Sequence, residues 1–307
     1  MFSKKTVVLA KIETESGTDS VPTAASNAVE VFDASLEVKP DMRQRNPGNS
    51  DRSMHAEIRG GTSVELKFSA YIKGSGTAGT APRIGALLRA CDFLETIVSS
   101  TSVTYTPAIS PETCSIYANF DGIYHKVLGC AGDVEVVAEA GDLALLNFTI
   151  QGVYQEPTDV VCPTPTFDTP TPLTAKNATF TIGSYAAVIK KMTLKKGNTI
   201  AKRADFNQDE GILAFMPTDR LSEGSLLIEA VLRATSNADF FDFFHAGTTK
   251  ALSCVFGATA GNIVTMTAPA CLFRAPKYDD NDGIRMFELS FQMARSSGND
   301  EMNIAFT

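Results

Sequence analysis

Tryptophan is missing altogether from the 307 residues, histidine occurs three times, and the 27 lysines and arginines are outnumbered by 35 acids, for a net charge of −8. Each shortage removes a class of function. A secreted carbohydrate-binding module needs exposed aromatic platforms, and the absence of tryptophan counts against one. A protein that grips nucleic acid needs clustered lysine and arginine to release counterions from phosphate. The balance here runs the other way, which does not exclude a protein that lets nucleic acid slide past. The six cysteines (Cys91, Cys114, Cys130, Cys162, Cys254, Cys271) form no Cys-x-x-Cys pair, so they are expected to be reduced and mostly in the core. His55, His125 and His245 share no spacing, which argues against zinc or a histidine-based dyad. No apolar run approaches the length of a membrane span, and the one after Lys4-Lys5 is too short for a signal peptide. Synthesis in a cytoplasm, without a membrane partner, is the expectation.

What the chain does contain is antiparallel strand pattern, written twice in the same order. The segment Val64, Leu66, Phe68, Ala70, Ile72 is apolar at every second position, with Glu65, Lys67 and Ser69 between, the mark of a sheet with one covered and one wet face. In the first copy a strand at Val31 to Val38, a long loop from Pro40 to Gly61 and the strand Val64 to Ile72 lead into a helix. That helix opens near Pro82 with Ile84, Leu87, Leu88 and Cys91 on one face. Hairpins then run to Val153. In the second copy a strand at Ala187 to Lys195, a loop from Ala204 to Gly224 and a strand from Leu226 to Leu232 precede a second helix. It opens near Ser236 with Asp239 three residues on, carries Phe240, Phe241, Phe243 and Phe244, and stops at Gly247. His245 falls in its last turn, where a cation favours the dipole. Hairpins again follow, to Phe306. Tight turns are signalled at Asp121-Gly122, Gly141-Asp142, Gly197-Asn198 and Asp282-Gly283.

The reading is therefore a mainly β protein with short helices, built as two tandem domains with one helix packed on each sheet. Residues 1–30, rich in small and polar positions, form an extended arm; residues 31–155 are the first domain and 174–307 the second. Between them residues 156–173 hold five prolines, at 157, 163, 165, 170 and 172, a stiff extended linker. A surface supplied twice suits self-assembly better than a single active site.

Two motifs invite a different reading. Gly74-Ser75-Gly76-Thr77-Ala78-Gly79 fits the dinucleotide fingerprint, but the strand before it alternates and the helix opens beyond the third glycine, so no phosphate would sit on its N-terminus. A flexible strand-to-helix loop fits better. Asp279-Asp280-Asn281-Asp282-Gly283 clusters oxygen ligands without the spacing of a calcium loop, and reads as an acidic hairpin tip. Two glycosylation-type triplets, at Asn147 and Asn177, have no meaning without secretion. Nothing assembles a nucleophile, a base and an oxyanion donor, so no catalytic residue, metal or cofactor is expected.

Five segments taken together, Ala10 to Thr23, Gly74 to Phe93, Phe120 to Val134, Gly247 to Pro269 and Ser296 to Thr307, resemble the major tail tube proteins of long-tailed bacteriophages and prophages. The resemblance implies β-barrel or sandwich tail-tube domains that polymerise into stacked rings, a hollow tube in the virion tail through which genomic DNA passes at ejection. Such rings hold six single-domain subunits or three two-domain subunits, and the duplication favours three. The resemblance also implies a tape-measure protein, a tail terminator and tip proteins as partners, and assembly in a bacterial cytoplasm. Arg43, Arg45 and Arg52 on the first long loop, with Asp205 and Asp209 on the second, are candidates for ring-to-ring contacts. The arm is expected to share in these contacts and to be mobile before assembly. Glu135, Glu139, Asp142, Asp279, Asp280 and Asp282 are candidates for an acidic lumen or ring face that repels phosphate. A capsid decoration or head-tail joining protein remains the alternative at this stage.

Overall fold

The computed structural model describes residues 2, 4–48, 51–235 and 237–307. Strands dominate, because apolar side chains recur at a period of two and each strand can bury only one face. The first half contains β1 (Thr6–Ile12), β2 (Ala28–Val29), β3 (Val31–Arg43), β4 (Ile58–Tyr71), helix α1 (Gly85–Ala90), β5 (Phe93–Val98), β6 (Ser102–Pro107), β7 (Cys114–Phe120), β8 (Ile123–Glu139) and β9 (Leu145–Tyr154). A short strand, β10 (Thr158–Asp159), follows. The second half contains β11 (Thr179–Ile182), β12 (Ile189–Lys195), β13 (Asn198–Ala204), β14 (Ile212–Arg220), β15 (Glu223–Glu229), helix α2 (Phe240–Ala246), β16 (Thr249–Phe256), β17 (Val264–Phe273), β18 (Lys277–Asn281), β19 (Ile284–Ala294) and β20 (Asn303–Phe306).

Every pairing among the described strands is antiparallel. Hydrogen bonding in the first half runs through β3, β4, β9, β8, β7 and β1 in that order, with β10 added to β8. In the second half it runs through β12, β15, β19, β17, β16 and β11, with β20 added to β17 and β18 paired to the start of β19. Among the described strands, two pairings stitch the halves together. Strand β12 lies along the end of β8, with Lys191 opposite Glu139 and Lys195 opposite Glu135, and β20 lies along β6. One main hydrophobic cluster runs through both halves.

The structure departs from the sequence reading in several places. Residues 6–12 are sheet, not free arm: Val8, Leu9 and Ala10 are almost wholly buried and β1 pairs with β7 along its length. Beyond it Glu13 is buried, and the Asp19 carboxylate accepts from Tyr117 and Lys126. Several polar groups of this segment are satisfied inside the fold and not by solvent alone. The loop foreseen from Ala204 to Gly224 contains a strand, β14, because Ile212 and Phe215 bury against Ala131 and Val153 of the first half. Gly197-Asn198 makes no hairpin, since β13 pairs with β14 and not with β12. Gly197 adopts φ +73 with Leu221 O where a Cβ would stand, and the Asn198 side-chain amide donates to Cys91 O and Gly132 O, leading the chain off the large sheet.

Helix α1 opens three residues after Pro82, following a turn. Ile84, Leu87, Leu88 and Cys91 are buried as one face. Ser236, foreseen as the start of α2, lies outside the described residues. The cap is Asp239, whose carboxylate accepts from Asp242 N, and Gly247 closes the helix at φ +63. Phe240 and Phe243 are buried, with Phe240 meeting Tyr185, Phe273 and Phe287 edge-on. Full burial of such a side chain is worth about 1.5–3 kcal/mol, which lets so short a helix hold its place on the sheet. The proline-rich segment is tied to the first half at both ends. Asn119 donates to Val160 O, and buried Leu173 exchanges backbone bonds with Ile72 and Ala144.

A polar sheet face with two open edges

Following the pairings, eight strands form one continuous run: β3, β4, β9, β8, β12, β15, β19 and β18. Alternation gives this run two faces. Leu66, Phe148, Val134, Met192, Leu226 and Leu289 point into the core. The other face carries Glu37 and Lys39, Glu65 and Lys67, Asn147 and Thr149, Asp133 and Glu135, Lys191 and Lys195, Glu223 and Ser225, and Glu288 and Ser290, all half-buried or exposed. It is mainly polar across both halves of the chain, with Tyr71, Val137, Leu145, Leu227 and Met286 set among these residues.

Acids outnumber bases on this face, but many are paired. Lys39 Nζ lies 2.6 Å from Glu65, Lys67 lies 2.7 Å from the same carboxylate, and Lys195 lies 3.8 Å from Asp133. The hydrogen bond to Glu65 holds the Lys39 ammonium above its ordinary value, and the two lysines hold Glu65 below its own. Partly exposed pairs of this kind add little stability. Their larger effect is to flatten the potential of a face that the net charge alone would make more strongly acidic.

The acidic candidates separate on this frame. Glu135 and Glu139 lie on the polar face at the end of β8, opposite Lys195 and Lys191. Asp279 shares that face, opposite Met286, while Asp280 faces the other way and its carboxylate accepts from Gly283 N at 3.1 Å. Asp142 and Asp282 sit in the turns of the β8–β9 and β18–β19 hairpins: Asp142 accepts from Leu143 N, and Asp282 takes φ +53. The strands are thus longer than the acidic tip foreseen from sequence, and Asp279 and Asp280 belong to β18.

The ring-contact candidates gather at one end of the molecule. Arg43 ends β3, Arg45 and Arg52 lie in the exposed loop that follows, and Asp205 and Asp209 lie in the β13–β14 turn. Among the described residues no ion pair joins these arginines to these aspartates. Other residues bring the two loops together instead: Asp41 with Lys202 at 3.0 Å, and Arg59 with Glu210. At the turn Phe206 is fully exposed, an apolar ring that none of the described residues covers. Sequence reasoning did not single it out, although a lone phenylalanine between Asp205 and Asn207 was a visible signal.

The glycine-rich stretch is a joint between the halves. Gly74 N donates to Asn262 Oδ1 at 2.7 Å and Gly76 N to Gly261 O at 3.0 Å. A Cβ on Gly74 would stand 2.0 Å from Gly261 O. The motif is there because two backbones must touch, and the loop is fixed rather than flexible.

At the two ends of the eight-strand run, β3 pairs only with β4, and β18 only with β19, among the described strands. Open edges of this length invite another strand. No curated protein matches the chain. A family model described as phage tail tube protein matches residues 3–293, nearly the whole length, and the chain belongs to the phage tail tube protein family.

Proposed function

We propose that this chain, a structural and non-enzymatic component of the phage tail that builds the tail tube, does so as three-fold rings in which each copy supplies two tube domains. The domains are residues 31–155, completed by β1 from the preceding segment, and 174–307, joined by 156–173. One observation carries the reading: the order of strand pairing is the same in both halves, from β3 to β1 and from β12 to β11. The helices fall at the same point, between the second strand of each run and the next hairpin, and β10 and β20 are each added to the equivalent strand. The β5–β6 hairpin has no counterpart in the second half, so the symmetry is approximate.

Three copies of an eight-strand run make roughly 24 strands. At about 4.8 Å spacing and about 40° tilt, such a cylinder has a backbone radius of about 24 Å, wide enough to pass a double helix. The polar face lines the channel in this reading, with Glu135, Glu139 and Asp279 among its acids, and DNA slides along it because no basic stripe is offered to phosphate. An electron-microscopy map of tubes assembled from the purified chain tests both parts. Three whole chains per ring, with the polar face toward the axis, are expected. Six whole chains, or a polar face turned outward, would overturn the reading.

Stacking falls to the loop after β3 and the β13–β14 hairpin, with Arg43, Arg45, Arg52, Asp205 and Asp209 as polar contacts to the adjoining ring and Phe206 as the apolar anchor. The tape-measure protein, tail terminator and tip proteins are the partners met at the tube's bore and ends. Phe206→Ser is expected to leave rings intact and to shorten tubes several-fold, since a buried aromatic anchor dominates a small contact. Negative-stain length distributions check this, and tubes of unchanged length and yield would remove Phe206 from the ring-to-ring contact.

A further inference from the structure

Resting on the two-domain ring reading, the β8–β12 contact inside the chain can be used as a template for the contact between chains. The registers allow position-by-position matching. In the first half Phe68 stands opposite Phe148, and Phe148 opposite Val134; in the second Ile228 stands opposite Phe287, and Phe287 opposite Tyr278. With Phe68 matched to Ile228, Val134 matches Tyr278, and one residue on Glu135 matches Asp279. Likewise Leu36 lies opposite Leu66 where Met192 lies opposite Leu226. Three residues on, Lys39 holds the place of Lys195.

Lys195 stands opposite Glu135 within the chain. Their counterparts, Lys39 and Asp279, lie on the two open edges and keep the same pair of charges. We infer that β3 of one copy adds antiparallel to β18 of the next, with Lys39 opposite Asp279, Val38 opposite Asp280 and Glu37 opposite Asn281.

Burial supports this independently of charge. Leu194 and Val134, beside the β8–β12 contact, are each 1% exposed, whereas their counterparts Val38 and Tyr278 are 40% and 63% exposed. Apolar side chains are left uncovered where the partner strand is missing. Pro40, in the place of Lys196, lacks the N–H by which Lys196 donates to Val134 O, so the added ladder stops one bond short of its template. The contact joins two different edges and therefore propagates head to tail until a ring closes, its backbone bonds supplying affinity as in other strand additions.

Paired cysteines test it. Lys195→Cys with Glu135→Cys is the control, expected to form a disulfide within one chain. Lys39→Cys with Asp279→Cys, assembled and oxidised, is expected to give covalent oligomers in denaturing gels. Mixing copies that carry only one of the latter changes is expected to give covalent dimers and nothing larger. Rings or tubes that form without cross-linking between copies, while the control pair closes, would overturn the β3–β18 contact and leave the ring reading standing. A chain that stays monomeric throughout would overturn both.

Discussion

Replacing Glu13 with leucine should destabilise the folded chain by about 4 kcal/mol, a large part of the 5–15 kcal/mol that holds a typical domain. The side chain is only 6% exposed, and its two oxygens accept four hydrogen bonds, from Gly17 N, Gly129 N and the hydroxyls of Thr113 and Ser115, at 2.7–2.8 Å. Leucine has nearly the right volume but no acceptor, so two backbone N–H groups lose their partner at roughly 1–3 kcal/mol each. The hydroxyls can rotate toward other acceptors and cost less. Gly129 takes φ +57 at the irregularity where β8 turns from β7 toward β9, so the carboxylate also fixes the bend that carries residues 135–139 to β12. Glu13→Gln should recover only part of the loss, because its NH2 group would face donors. Urea unfolding of the unassembled chain measures the effect. A change below about 1 kcal/mol would mean that solvent reaches this site and that the N-terminal segment is not held as described.

Lys196→Met should act in the opposite direction and stabilise the protein by roughly 2–3 kcal/mol at pH 7. Lys196 has no exposed surface, its Nζ makes no hydrogen bond among the described residues, and it lies 4.2 Å from the centre of the Phe93 ring. Burial lowers its pKa from 10.5 to about 8, with Asp92 opposing that shift and the nearby Arg220 adding to it. Because the folded pKa lies below the unfolded one, the unfolded chain binds more protons between these values. The penalty is therefore complete below about pH 8 and is relieved as pH rises toward 10.5. Methionine keeps the apolar stem and a soft contact with the ring while removing the ammonium. The advantage of the variant should be largest at pH 7 and shrink by pH 10. Comparing the two proteins at each pH is essential, since buried Cys254 and Cys271, with thiols pushed up to about 12, pull stability down above pH 9 in both. A variant less stable than the parent at pH 7 would show that the ammonium is favourably held by Asp92 and Glu301.

The sequence alone determined which residues face the core and which face water along most strands, because a period of two is a local property: Leu66, Phe68 and Ala70 are buried, and Glu65, Lys67 and Ser69 lie on the other face. It also determined the hairpin turns at Asp121-Gly122 and Asp282-Gly283, where successive positive φ values need such residues. The likeness to tail tube proteins could be read there too. Partner choice was not legible, because alternation fixes the face of a strand but says nothing of the strand beside it. Nothing local in Lys191 to Lys195 names Glu135 to Glu139 as its neighbour, yet that pairing joins the halves and leaves β3 and β18 open. Nor did Ile212 and Phe215 announce a strand, since they became one only against Ala131 and Val153, some eighty and sixty residues earlier in the chain. The polar face, its paired charges and its two free edges were decided by long-range register, which exists only once the chain has folded.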